Sequence, residues 1–211
     1  MATAEAAAAK GASLVLIARS AITLQRLARK IDDTGRRALS VVCDVSDRNA
    51  VELAARQAME HFGRIDTWVN DAGVGIYGRL DEVLEADSRR MFDVNFWGVV
   101  HGSLAALRYL KLQGGTLINV GSEVSEGSVA LLGMYTAAKQ AVRGFTDALR
   151  IETQEVDKSN VSITLIEPQS VDTPFPQHAR NYMDREPRLS SPTVSAERVA
   201  KAILRAAVRP T

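Results

Sequence analysis

Cysteine is almost missing from this sequence. Cys43 is the single one among 211 residues, so no internal disulfide can form and the fold must rest on its apolar core. Cys43 ends the apolar run Leu39–Cys43 and reads as a buried structural thiol. No apolar stretch approaches the roughly 20 residues that a membrane-spanning helix needs. An excess of charge is also lacking. Against 26 Lys and Arg stand 25 Asp and Glu, for a net charge of +1. That balance leaves no electrostatic footprint for nucleic acid or an anionic membrane. Ala2–Ala9 is Ala-rich, but Glu5 interrupts it and no basic region precedes it, so no signal peptide is read and a cytoplasmic location is expected. His61, His101 and His178 share no metal-ligand spacing, and no metal is expected.

What is present is an ordinary globular balance, 46% hydrophobic and 24% charged, enough for one domain over residues 1–211. Helical and strand patterns alternate along it. Ala2–Lys10 is a strong helix former stopped by Gly11. Leu14–Ala18 is a short apolar run of the kind found in strands covered on both faces. Leu24, Leu27, Ala28 and Ile31 recur at helical spacing. Ala38–Cys43 reads as a strand, and Ser46 or Asp47 can cap a helix with Val51, Ala54, Ala55, Ala58 and Phe62 on one face. A strand at Thr67–Val69 runs into Asn70-Asp71-Ala72-Gly73. Two helices are predicted next, over Glu82–Met91 and Asn95–Lys111, then a strand at Thr116–Val120. A long helix over Met134–Val156, a strand at Val161–Ile166, a proline-bearing loop from Pro168 to Pro192 and a closing helix over Ser195–Val208 complete the pattern. Trp68 and Trp97 fall in apolar runs and read as core, and Arg89-Arg90 as a solvated helix face. Strands alternating with helices predict right-handed βαβ units and an α/β fold with a doubly wound parallel sheet. Ligands of such sheets bind beyond the carboxyl ends of the strands.

Chemistry enters with Tyr135 and Lys139, four apart on one helix face. A phenol ionises near pH 10 and is a weak acid or base at neutrality. An ammonium beside it favours the phenolate and lowers that pKa, which makes the pair a proton donor and acceptor for a carbonyl/alcohol interconversion. Taken alone, the pair is equally a solvated lysine and a half-buried tyrosine. Ser122, at the end of Leu117–Gly121, could hydrogen-bond a carbonyl oxygen as charge develops on it, or simply cap a turn.

The spacing Ser122-x12-Tyr135-x3-Lys139 resembles the active site of the short-chain dehydrogenase/reductase family. Asp93-Val94-Asn95-Phe96-Trp97-Gly98 resembles the family's segment for a fourth catalytic residue, here Asn95. Asn70-Asp71-Ala72-Gly73 resembles its Asn-Asn-Ala-Gly, with aspartate second. Cys43-Asp44-Val45 resembles the stretch that meets the adenine ring. Pro168-Gln169-Ser170-Val171-Asp172-Thr173 resembles Pro-Gly-x-Val-x-Thr near the nicotinamide, with Gln169 in place of glycine. The resemblance implies a Rossmann-like fold and a nicotinamide cofactor. It implies that Tyr135 exchanges a proton with the substrate oxygen and that Lys139 lowers the tyrosine pKa and holds the nicotinamide ribose. Ser122 would polarise the carbonyl, and Asn95 would support a water between Lys139 and solvent. Cofactor contacts are expected from Arg19, Asp44, Val45, Asn70, Ala72, Gly73, Tyr135, Lys139, Pro168, Val171 and Thr173. The two long helices resemble those that join family members into homodimers or homotetramers.

At the end of the second strand of such a fold, an acidic residue would bond the ribose hydroxyls of NAD. Here Ala18-Arg19-Ser20 offers no carboxylate, and a guanidinium suits a phosphate, so NADP(H) is expected over NAD(H). The family's first strand and glycine-rich phosphate loop have no counterpart. A gap is therefore expected between residues 14–18 and 67–69, and the sequence reads as part of a longer polypeptide. The substrate pocket is expected to be lined by Val74, Val124, Leu132, Ser170 and Phe175, with residues 174–190 as a substrate loop and Pro174–Arg188 as its mobile lid. That lining suggests an apolar ketone or secondary alcohol. A non-catalytic member of the same fold, binding a ligand or partner without turnover, is the alternative; NADP binding by the full-length protein separates the two.

Overall fold

A computed structural model describes residues 1–33, 35 and 37–209. The chain runs α1 (Ala2–Ala9), β1 (Leu14–Ala18), α2 (Ala21–Asp32), β2 (Ala38–Val42), α3 (Arg48–Phe62), β3 (Thr67–Asn70) and β4 (Ile76–Tyr77). It continues with α4 (Glu85–Phe92), a π-helical turn (Asp93–Trp97), α5 (Gly98–Gln113), β5 (Gly115–Val120) and a short 3-10 turn (Glu123–Ser125). Then come α6 (Gly133–Ile151), a second π-helical turn (Glu152–Val156), β6 (Val161–Ile166), β7 (Val171–Asp172), α7 (Phe175–His178), β8 (Arg180–Asn181), β9 (Val194–Ser195) and α8 (Ala196–Val208).

Local chemistry sets these boundaries. The Asp47 carboxylate accepts the backbone N–H groups of Asn49 and Ala50 and starts α3, which Gly63 ends at φ 75, a left-handed conformation that costs glycine little. Ser20 and Ser195 cap α2 and α8 in the same way. Along β1, Val15 and Ile17 join one core while Leu16 joins another, as the two-residue period of a strand requires. Leu117 and Ile118 of β5 divide likewise. Residues of α3, α5 and α6 pack with the first core, and those of α1, α2 and α8 with the others. This is the two-sided cover that a parallel sheet needs.

All strand pairs in the main sheet are parallel, with β1 beside β2 and β5 between β3 and β6. No hydrogen-bonded ladder joins β1 to β3 among the described residues, so the sheet comes in two pieces, divided where a further strand was expected. Two sequence expectations change. The helices over Glu82–Met91 and Asn95–Lys111 are one continuous helical run from Glu85 to Gln113, with the π-turn as its seam. A π-turn carries one extra residue, which shifts the apolar stripe and so mimics a break in the periodicity. Trp97 is not core: it is 48% exposed and stacks on His101.

Candidate active site

Parallel strands place their carboxyl ends on one edge, and the segments that leave them build the site. Gly121 and Ser122 follow β5, Asp71–Gly73 follow β3, and Pro168–Ser170 follow β6. Together with α6 and the chain from β7 to residue 190, they enclose a cavity of about 850 Å³. Ser122, Tyr135 and Lys139 line it, as do Gly73, Val124, Leu132, Pro168, Ser170, Val171, Thr173 and Phe175. Sequence reasoning missed Asp71, Tyr77, Leu131 and Met183 on the same wall. The substitution of Asp71 for the family's second asparagine was a signal for the first. The glycines flanking Ile76-Tyr77 were one for the second.

Lys139 is buried, and its ammonium donates to the Val120 carbonyl at 2.8 Å. Burial pulls its pKa down to about 8, opposed by the carboxylate of Asp71. Asp71 is itself pushed up by desolvation, with Lys139 pulling the other way. Tyr135 differs from expectation. Its pKa is pushed up to about 12, chiefly by burial, with the Ser122 side chain working against the rise and Tyr77 adding to it. Lys139 lies 5.8 Å from the centre of the Tyr135 ring. Desolvation acts on both groups and favours the neutral form of each. The Ser122 hydroxyl caps the 3-10 turn by accepting the Val124 N–H at 3.4 Å.

Asn95 sits in the π-turn, fully buried. Its side-chain oxygen accepts the Val74 N–H at 2.8 Å, and its amide donates to the Val74 carbonyl at 2.8 Å. It thereby fixes the loop that follows β3. Val74 does not line the cavity, because that loop is turned toward Asn95.

Asn70 also faces inward. Its oxygen accepts the Trp68 indole N–H at 2.8 Å, and its amide donates to Asn119 Oδ1 at 2.8 Å and to Ser103 Oγ at 3.1 Å. Asn119 then donates to Thr146. A Cβ on Gly102 would meet the Asn70 oxygen at 2.0 Å, so glycine is needed for α5 to cross there. Ala72 does not line the cavity.

Arg19, Asp44 and Val45 lie apart from this cavity, at the carboxyl ends of β1 and β2. Arg19 is exposed and has no ion-pair partner among the described residues. Asp44 is held by Ser46 and by Arg90 of α4, which together pull its pKa down against its burial. The Val45 carbonyl contacts His101 Nδ1 at 3.1 Å.

The expected mobile lid is tied down over its first half. The Arg180 and Tyr182 N–H groups donate to the carbonyls of Gly75 and Tyr77 at 2.9 and 2.8 Å. Arg180 also pairs with Asp87 at 2.9 Å, and the Tyr182 hydroxyl donates to the same carboxylate. Beyond Met183 the segment carries Arg185–Ser190 over the cavity.

The family model for short chain dehydrogenase matches residues 1–184. Among curated proteins, the chain is 40% identical to the uncharacterized oxidoreductase YxnA of Bacillus subtilis, over 99% of this chain and 59% of that protein. It is 31% identical to 11-beta-hydroxysteroid dehydrogenase A of Sesamum indicum, over 96% of this chain and 60% of that one. The chain thus spans about three fifths of the length of these two relatives. Among solved structures, it is similar to an alcohol dehydrogenase from Thermococcus sibiricus complexed with 5-hydroxy-NADP, with TM-score 0.84, 29% identity, and 96% and 82% of the two chains covered. It is similar as well to a short chain dehydrogenase from Burkholderia cenocepacia in complex with NADP, with TM-score 0.83, 27% identity, and 98% and 84% covered.

Proposed function

Because the chain belongs to the short-chain dehydrogenase family, we propose that it serves an NADP(H)-dependent oxidoreductase that interconverts a ketone or aldehyde and the corresponding alcohol. The observation that carries this reading is the convergence of Tyr135, Ser122 and a buried Lys139 on one cavity beyond β5. When bound, the nicotinamide supplies or takes up the hydride.

The residues present fit such a cofactor. An ammonium has three donors, and Lys139 directs one to Val120, leaving others for ribose hydroxyls. Met1, Ala2 and Thr3, at the start of α1, line the same cavity. No carboxylate follows β1 to repel a ribose phosphate, and Arg19 stands there unpaired. The NADP complexes of two similar structures agree with that preference.

The chemistry of the side chains then follows. Tyr135 holds its proton throughout the neutral range, since burial pushes its pKa up to about 12. It is thus a loaded acid for a substrate oxygen that becomes an alkoxide, a far stronger base than phenolate. Ser122 orients that oxygen. Lys139, with a pKa of about 8, keeps a positive charge near the site at neutrality. Asn95 acts through Val74 and so holds the loop whose Asp71 and Gly73 line the cavity. The exposed apolar side chains Trp97 and Leu104 on the helical run and Ile151 on α6 suit contact with a second copy of the chain.

The reading is tested on the full-length protein with NADPH and a panel of ketones and aldehydes. Turnover that Tyr135→Phe lowers by at least a hundredfold, with NADPH affinity retained, is the expected result. Failure to bind either nicotinamide nucleotide favours the non-catalytic alternative.

A further inference from the structure

Tyr77 is a buried titratable group that the chemistry above leaves unused. Of the polar side chains lining the cavity, Tyr77 and Lys139 are the two that are buried, at 8% and 5% exposure. Lys139 has the Val120 carbonyl. The Tyr77 hydroxyl has no hydrogen-bond partner among the described residues, yet it is not one of the sealed, unpartnered polar atoms of the interior. The hydroxyl thus keeps some exposure, and Tyr77 lines the cavity. Burial pushes its pKa up, so it is a neutral phenol that can both donate and accept.

Its position is held from both sides. Ile76 and Tyr77 pair with Arg180 and Asn181. The Tyr77 carbonyl accepts the Tyr182 N–H at 2.8 Å, and the next residue, Gly78, donates to the Leu131 carbonyl at 2.9 Å. A donor fixed in this way loses little entropy on binding a ligand. Val124, Leu131, Leu132, Phe175 and Met183 give the cavity much of its apolar lining. A buried hydroxyl in this cavity is poorly served by a purely hydrocarbon ligand, which would strip its water and return no hydrogen bond.

We infer that Tyr77 is a specificity-determining residue whose hydroxyl hydrogen-bonds a second oxygen of the substrate, and that the substrate class is ketones with a hydroxyl or oxo group close to the reacting carbonyl. Tyr135 serves the reacting oxygen and Tyr77 the second one. The inference rests on the oxidoreductase reading, and it replaces the simple apolar ketone suggested by the pocket lining in the sequence.

The test uses full-length protein, NADPH and pairs of ketones sharing one carbon skeleton, with and without an α-hydroxy or β-oxo group. The wild type is expected to favour the oxygenated member in kcat/KM, by about tenfold in the best pair. Tyr77→Phe, which keeps the ring, is expected to lower that ratio about tenfold. No preference in any wild-type pair overturns the inference, whether or not the variant folds. So does a Tyr77→Phe protein that melts like the wild type and keeps the ratio. A wild type that binds NADPH and reduces neither member of any pair overturns the oxidoreductase reading itself, and this inference with it. A wild type that reduces plain and oxygenated ketones equally well overturns only the role of Tyr77.

Discussion

Asn95 and Val74, 21 residues apart, are joined by two hydrogen bonds of 2.8 Å in opposite directions. Asn95 is fully buried and Val74 half-buried. Asn95→Ala leaves the Val74 N–H and carbonyl unpaired and is expected to cost about 2–4 kcal/mol of stability. Asn95→Asp removes only the donor and is expected to fall between the two. Urea denaturation of the three proteins measures the order, and an Asn95→Ala protein as stable as the wild type contradicts it.

Lys139 is the opposite case, a buried charge kept at the expense of stability. Its pKa falls from the ordinary 10.5 to about 8 in the folded chain. Below pH 8 the folded state carries the full penalty of the buried ammonium. Between about pH 8 and 10.5 the unfolded chain binds more protons, so this contribution to stability rises with pH. Lys139→Met is therefore expected to be inactive but more stable at pH 7, on the order of 2 kcal/mol. The difference should shrink as the pH passes 8. Melting temperatures at pH 7 and pH 9.5 decide; a variant less stable at both values goes against the argument.

Arg19 is exposed and unpaired at the end of β1. Arg19→Asp places a carboxylate where a ribose phosphate is expected. The ratio of NADP to NAD efficiency should drop by at least tenfold. Steady-state kinetics with both nucleotides checks it, and an unchanged ratio removes Arg19 from the cofactor site.

Asp87 receives both Arg180 and the Tyr182 hydroxyl, so one carboxylate ties the substrate segment to α4. Asp87→Asn keeps the size and weakens both contacts. It is expected to raise substrate KM several-fold with a smaller change in kcat, and to speed proteolysis within residues 180–190. Equal proteolysis of variant and wild type argues against the tie.

Much of this was legible in the residues. The strand at Leu14–Ala18 follows from its apolar run and α2 from the helical spacing of Leu24, Leu27, Ala28 and Ile31, and the strand at Val161–Ile166 stands where it was expected. Ser122, Tyr135 and Lys139 were readable from spacing because two of them share a helix and the third ends the preceding strand. What spacing could not show is the direction in which a polar side chain turns. Asn70 and Asn95 belong to motifs that suggest ligand contacts, yet both spend their hydrogen bonds on protein partners. Those partners lie 49 and 21 residues away. The tie between Tyr182 and Asp87 spans 95 residues and leaves no local trace. The rise in the Tyr135 pKa was not legible for the same reason: burial is a property of the whole fold.

The helical run from Glu85 to Gln113 carries Asp87, Arg90 and Asn95 on a single rod. These residues grip the substrate segment, the loop after β2 and the loop after β3 in turn. The rod is therefore a ruler for the whole site. The distances between its three grips are set by counting residues along it, at about 1.5 Å each. The π-turn is one graduation added to that scale. Deleting a residue there would regularise the helix, but it would turn one end against the other by about 100°, and Arg90 and Asn95 could no longer keep hold of their loops together.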